Sequence, residues 1–192
     1  MTQQFVREWR NAHPGGRILS RDLSEIDIPI VDARWVSANF TPKELRSPEQ
    51  HDVLRLSTEF TTELLSADEY VIGIPMHNWG PSAKFKLWVD QIVRFGETVL
   101  ITPTGPKGRL DKKRVCLILA AGAKYRPGSG YASMNYLDVW LRTLLSYLGV
   151  NDRQFIFADG AAALRDSKVE RSAFLAPHIE AIQAFFAETV SS

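Results

Sequence analysis

One cysteine, Cys116, in a chain of 192 residues excludes an internal disulfide framework and any multi-cysteine metal cage, and its apolar surroundings in RVCLILA suggest a buried thiol. Redox work would therefore need a borrowed cofactor. An excess of charge of either sign is lacking too. Twenty-three Lys plus Arg against 22 Asp plus Glu leave a formal charge of +1, which gives no electrostatic case for nucleic acid or an anionic membrane as the main partner. No apolar run approaches the roughly 18 residues of a membrane span. The opening MTQQFVREWR is amphipathic rather than a basic tip followed by an apolar stretch, so no secretion signal is read there. The expected setting is cytoplasmic, with a small molecule as partner. GxGxxG, GxxxxGK[ST] and GxSxG are all absent, so neither the common nucleotide loops nor nucleophilic hydrolysis has support.

What remains is an ordinary globular composition, 45% apolar over 192 residues, expected to form one domain over 1–192 with a core of respectable size. Phe5, Val6 and Trp9 share a face of a helix over 2–12, and Gly15-Gly16 stops it. Arg17–Leu23 reads as a short strand and the DIPIVD that follows as an irregular passage. Ser47-Pro48-Glu49-Gln50 is a capping box with proline in the first helical turn. Val53, Leu56, Phe60 and Leu64 extend the expected helix to Ser66.

Strands are expected near 70–74 (YVIGI), 114–119 (RVCLIL) and 154–158 (QFIFA), each apolar throughout, as strands covered on both faces are. Helices follow them. One carries Phe85, Trp88, Val89, Ile92 and Val93 up to Gly96, a second runs over 137–148 to Gly149, and a last spans about Ser167 to Thr189 with Pro177 bending it. ETVLITPTGPKGRL reads as a hairpin standing off the sheet. The alternation makes the fold class α/β, a parallel open sheet wrapped by helices. Such sheets bind ligands beyond the carboxyl ends of their strands, where the loops 75–80 and 120–133 would jointly form a crevice.

In PMHNWG, Pro75 is expected to stop sheet pairing, while Met76, His77, Asn78 and Trp79 can lie across a planar ligand. Asn78 adds an amide that donates and accepts together, as the edge of a flavin ring demands, and Trp79 can cover the ring. The competing account is that Met76 and Trp79 cap the core and Asn78 merely fixes the turn. His77 lacks a companion base, acid or metal ligand and reads as a contact or pocket wall. In AAGAKYRPGSG, the small residues Ala120, Ala121, Gly122 and Ala123 allow close backbone approach to a flat heterocycle, or form a tight strand exit with no ligand. Tyr125, Arg126, Tyr131 and Tyr136 are candidates to cover the crevice or to meet a partner subunit, while Lys124 and Arg126 read first as a plain solvated face. No catalytic carboxylate pair and no metal site is evident.

The order of these pieces, and PMHNWGPSAKFKLWVDQIVRFGETV in particular, resembles the FMN-dependent NADH:quinone oxidoreductases, also called azoreductases, of the flavodoxin-like fold. The resemblance covers almost the whole chain. It implies a three-layer sandwich, FMN bound and NADH as cosubstrate. It also implies two-electron transfer through the flavin N5 to a quinone or azo compound, and a homodimer. By position, Met76, His77, Asn78 and Trp79 match that family's P-M-[Y/H]-N-[F/W] flavin loop. The family's second flavin loop, roughly [S/T/A]-R-G-G-x-Y, matches Ala120-Ala121-Gly122-Ala123-Lys124-Tyr125, with Ala121 in place of the usual Arg and Ala123 in place of a Gly. Members of the family begin with a strand and a serine-bearing phosphate loop, whereas Met1-Thr2-Gln3-Gln4 resembles the helix after that loop. The implied gap lies between the strands at 17–23 and 70–74. It would be closed by rearrangement, filled by a partner, or reflect a start codon placed too far downstream; for 1–192 as it stands, weakened FMN affinity and reduced solubility are expected. A non-catalytic flavodoxin-like binding or electron-transfer module, or a remnant of the fold without cofactor, is the alternative to the enzyme.

Overall fold

In a computed structural model, which describes residues 1–187, the chain begins with α1 (Thr2–Ala12). A short 3-10 turn over Leu23–Glu25 leads to α2 (Ala33–Phe40), and another over Lys43–Leu45 to α3 (Pro48–Val53) and α4 (Arg55–Ser66). Then follow β1 (Glu69–His77), β2 (Gly80–Pro81), α5 (Ala83–Ile92), β3 (Val99–Thr102), β4 (Gly105–Gly108) and β5 (Arg114–Ala121). A 3-10 turn at Ala132–Met134 precedes α6 (Tyr136–Tyr147), β6 (Asp152–Asp159), α7 (Ala162–Arg165) and α8 (Arg171–Ala187). The expected end of the last helix at Thr189 lies outside the described residues.

The main sheet has the order β2-β1-β5-β6. β1, β5 and β6 are parallel, with Ile72, Leu117 and Phe155 in one cross-strand row and Pro75, Ala120 and Ala158 in another. β5 is central and apolar after Arg114, and its alternating side chains feed two cores because successive residues point to opposite faces. Val115, Leu117 and Leu119 pack with Phe60 and Leu64 of α4, Phe85, Val89 and Ile92 of α5 and Leu137, Leu141 and Leu145 of α6. Cys116 and Ile118 pack on the other face with Phe5 of α1, Ile156 of β6 and Ile182, Phe185 and Phe186 of α8. Three layers result. The apolar faces of α5 and α6 are spent on this core, leaving Tyr136, Val139 and Tyr147 exposed on α6. β3 and β4 pair as the expected hairpin off the sheet.

Several expectations change. Residues 17–22 form no strand; the passage runs along the surface, where Arg21 ion-pairs with Glu59 and Glu63 of α4, and the chain turns at Leu23. RILSRDL offers too few apolar residues to hold a sheet position. Among the described residues β1 therefore has a strand partner on one side only along Glu69–Pro75. This same arrangement corrects the reading of Pro75, which sits within β1 opposite Ala120 rather than ending it. A proline is tolerated where a strand is paired on one side. The helix expected from 48 to 66 is broken at Leu54, whose buried side chain anchors a kink after the capping box of Ser47 and Gln50. α2 was not anticipated: Asp32 caps it by accepting from the Trp35 amide at 2.8 Å, and Trp35 donates to Gln91 Oε1 at 2.8 Å inside the core.

Candidate functional site

Parallel strands bring their carboxyl ends to one rim, so the exits of β1, β5 and β6 are neighbours there. At the β1 exit the chain reverses at once. Met76 pairs with Pro81 and His77 with Gly80, leaving Asn78 and Trp79 as the two central residues of a hairpin turn. Their φ values are 48° and 66°, and positive φ at both centres is the signature of a type I′ turn. Asparagine takes that conformation readily, whereas a tryptophan there carries strain. The turn holds the Trp79 ring out from the core, 44% exposed. Ser82 then caps α5 by accepting from the Phe85 amide.

The β5 exit is tied down from the other side. The amides of Ala161, Ala162 and Gly160 donate to the carbonyls of Ala121, Gly122 and Ala123 at 3.0, 3.1 and 3.0 Å. Beyond the ladder, Asp159 accepts from the Tyr125 amide through Oδ2 and from Arg126 Nε through Oδ1, both at 2.8 Å. Its side chain is only 2% exposed. The Tyr131 ring stands 6.1 Å from that of Tyr125, centroid to centroid.

Between the two exits lies a cleft of about 170 Å³ lined by Met76, Asn78, Trp79, Ala121, Gly122 and Tyr125. The lining combines a thioether, an indole, a phenol, one carboxamide and two residues with almost no side chain. No atom lies within 4 Å of the position a Cβ on Gly122 would take, so the backbone there is open to close approach. These features fit the edge and face of a flat heteroaromatic ring, with few polar groups fixing its orientation. They do not fit hydrolysis, because the lining contains no carboxylate, histidine or nucleophile. A larger hollow of about 370 Å³, lined by Ala33, Arg34, Ser37, Glu49, Gln50 and Val53, lies between α2 and α3 away from the strand ends. It brings together no comparable set of aromatic and small residues.

Of the residues singled out in the sequence, Met76, Asn78, Trp79, Ala121 and Gly122 meet in this cleft. His77, Ala120 and Ala123 do not line it. His77 alternates away from Met76 along β1 and is exposed, and Ala120 lies in the row with Pro75 and Ala158. Asp159 escaped the sequence reading because a single carboxylate after an apolar strand has no signature; the FADG step from strand to glycine was the available signal. Cys116 stays out of the chemistry, since burial raises its thiol pKa to about 12 against a smaller opposing effect of Arg114. Among the described residues no group of three or more His, Cys, Asp and Glu side chains gathers as a metal site, and no helix is long and apolar enough to cross a membrane.

Comparison with known proteins places the chain in a family. The family model described as "flavodoxin-like fold" matches residues 1–184. FMN-dependent NADH:quinone oxidoreductase 3 of Burkholderia lata is 54% identical over 187 residues, covering 97% of this chain and 90% of that protein. FMN-dependent NADH:quinone oxidoreductase of Acidobacterium capsulatum is 43% identical over 183 residues, covering 95% and 89%. The crystal structure of an FMN-dependent NADH-azoreductase from Bacillus anthracis in complex with FMN superposes with a TM-score of 0.83 at 23% identity, covering 98% of this chain and 89% of that one. This last likeness speaks to the fold alone. The family model over residues 1–184 and relatives at 54% and 43% identity, together with a parallel sheet that carries helices on both faces, assign the chain to the FMN-dependent NADH:quinone oxidoreductases of the flavodoxin-like fold.

Proposed function

We propose that the protein binds FMN with its isoalloxazine ring in the cleft between the Asn78–Trp79 turn and the β5 exit, and uses it to reduce quinones and azo compounds with NADH. The observation that carries this reading is the meeting of Met76, Asn78 and Trp79 with Ala121, Gly122 and Tyr125 at one rim. The names of relatives at 54% and 43% identity point the same way. When bound, FMN supplies the redox chemistry, taking a hydride at N5 from NADH and passing two electrons to the acceptor. The residues do the rest. The Asn78 carboxamide donates and accepts at the ring edge, Gly122 and its neighbours lend main-chain groups at close range, and Trp79 and Tyr125 wall the pocket. His77 would contribute at the outer edge of the site, as would the backbone of Ala120 and Ala123. With no carboxylate, histidine or ammonium group in the lining, the protons taken up by the reduced acceptor come from solvent.

NADH and the acceptor use the same site beside the ring in turn, so NADH leaves before the acceptor enters. A reduced nicotinamide donor places the work in the cytoplasm, and a homodimer is the proposed assembly, with light scattering as its check. Titration of the flavin-free protein with FMN, followed by flavin fluorescence, tests the binding. Steady-state rates with NADH and a quinone should then give parallel double-reciprocal lines; intersecting lines would argue for a ternary complex, and a protein that takes up no FMN would end the reading.

A further inference from the structure

The stretch from Gly122 to Tyr131 contributes Gly122 and Tyr125 to the cleft wall, yet its own sequence, rich in glycine and polar residues, provides little to hold it. Its anchorage comes from the end of β6 and the turn that follows it. The amides of residues 160–162 take the carbonyls of 121–123, which fastens the first half of the turn. Main-chain pairing then stops. Among the described residues, the further hydrogen bonds from this turn to β6 are the two that end on the Asp159 carboxylate, one from the Tyr125 amide and one from Arg126 Nε, each at 2.8 Å. They are unequal in exposure: the Asp159 side chain is 2% exposed and that of Arg126 is 55% exposed. A buried carboxylate that accepts a main-chain N–H with one oxygen and a guanidinium with the other is a strong, directional clamp. Tyr125 is also the lining residue at which that clamp acts.

We infer that Asp159 is a positioning residue that sets where Tyr125 stands over the cleft, and thereby governs retention of the ring and the fit of the nicotinamide. It touches neither ligand. The inference rests on the proposed flavin site, but the latch itself is a property of the protein alone. Asparagine is a poor substitute. One of its two terminal atoms is a donor and would face either the Tyr125 N–H or Arg126 Nε–H. Asp159→Asn should therefore release one arm of the clamp, Asp159→Ala both, and Arg126→Ala only the exposed outer arm.

Hydrogen exchange of the flavin-free protein reads the latch directly. In Asp159→Ala the Tyr125 amide should exchange at least about tenfold faster than in the native protein, with β5 and β6 unchanged. Asp159→Asn should fall between, and Arg126→Ala close to native. FMN dissociation constants should rise in the same order, and KM for NADH should rise more than kcat falls, because positioning is lost while the flavin's chemistry is intact. Asp159→Glu should recover part of the exchange protection. Native exchange at Tyr125 and native FMN affinity in Asp159→Asn and Asp159→Ala would overturn the inference. If Asp159→Ala does not fold, Asp159→Asn and Arg126→Ala carry the same comparison. A native protein that binds no FMN would refute the flavin site instead, while the exchange experiment would still decide the latch.

Discussion

Asn78 and Trp79 stand side by side in the left-handed region, φ 48° and 66°, at the tip of a two-residue hairpin that closes the β1 strand. Of the two, Trp79 is the unexpected occupant. Its bulky side chain gains nothing from that conformation except the place it reaches, at the mouth of the cleft.

Strain held at a site for the sake of function makes a separable prediction. Trp79→Gly should leave the protein as stable or about 1 kcal/mol more stable, because glycine accepts positive φ without penalty, while FMN affinity falls. Trp79→Ala should lose the ring and keep the strain. Thermal melts and FMN titrations of the two variants, side by side, check this. A stable Trp79→Gly with native flavin affinity would remove Trp79 from the site.

The open space beside Gly122 is the second handle. No atom stands within 4 Å of a Cβ built there and its φ is not in the left-handed range. Gly122→Val should thus change stability by less than about 1 kcal/mol, as surface substitutions usually do. It should nonetheless fill the floor of the cleft and weaken FMN binding by at least about tenfold, which corresponds to about 1.4 kcal/mol. Circular dichroism melts and flavin fluorescence separate the two effects.

Arg94 is wholly buried and bonded to neutral groups, donating from Nε to Asn39 Oδ1 at 2.9 Å and from Nη1 to Thr58 Oγ1 at 2.8 Å. Burial lowers its pKa, partly countered by Glu97. Asn39→Leu, which strands the Nε–H of a buried cation, should cost about 3 kcal/mol. Removing the charge as well, in Asn39→Leu with Arg94→Met, should recover part of that loss. Urea denaturation of the double-mutant cycle measures the coupling.

His178 lies in α8, largely buried against Phe174. Burial, joined by the Arg126 charge and opposed by Asp159, holds its pKa below the ordinary 6.5. The unfolded chain therefore binds the proton first as the pH falls, and the folded state loses stability from about pH 6.5 downward. Above that range the contribution is complete. The melting temperature should fall between pH 7 and 5, and fall less in His178→Gln; an identical pH dependence in the two proteins would assign the loss to other groups.

Much of the scaffold was legible in the chain. The strands at 70–74, 114–119 and 154–158 are continuous apolar runs and appear as β1, β5 and β6, each longer by a few residues. Apolar periodicity located α1, α5 and α6, and Ser47 with Gln50 marked a helix start by hydrogen bonds that involve near neighbours only. Errors fell where local pattern was weak. Arg17–Leu23 has Ile18 and Leu19 but too few apolar residues to hold a strand beside β1, and Leu54 interrupts a helix whose periodicity runs on without a break.

By itself, the order of residues determined the layered α/β plan and the two segments that could grip a flat ring, because periodicity, caps and turn chemistry are written in residues a few positions apart. Which members of those segments share a cleft was decided only in three dimensions. The row of Pro75, Ala120 and Ala158 sets the heights of the three strand exits. Positive φ at Trp79 aims its ring, and a carboxylate 34 positions from Tyr125 holds the opposite wall. Those are long-range matches of register and hydrogen bonding, and no neighbouring residue announces them.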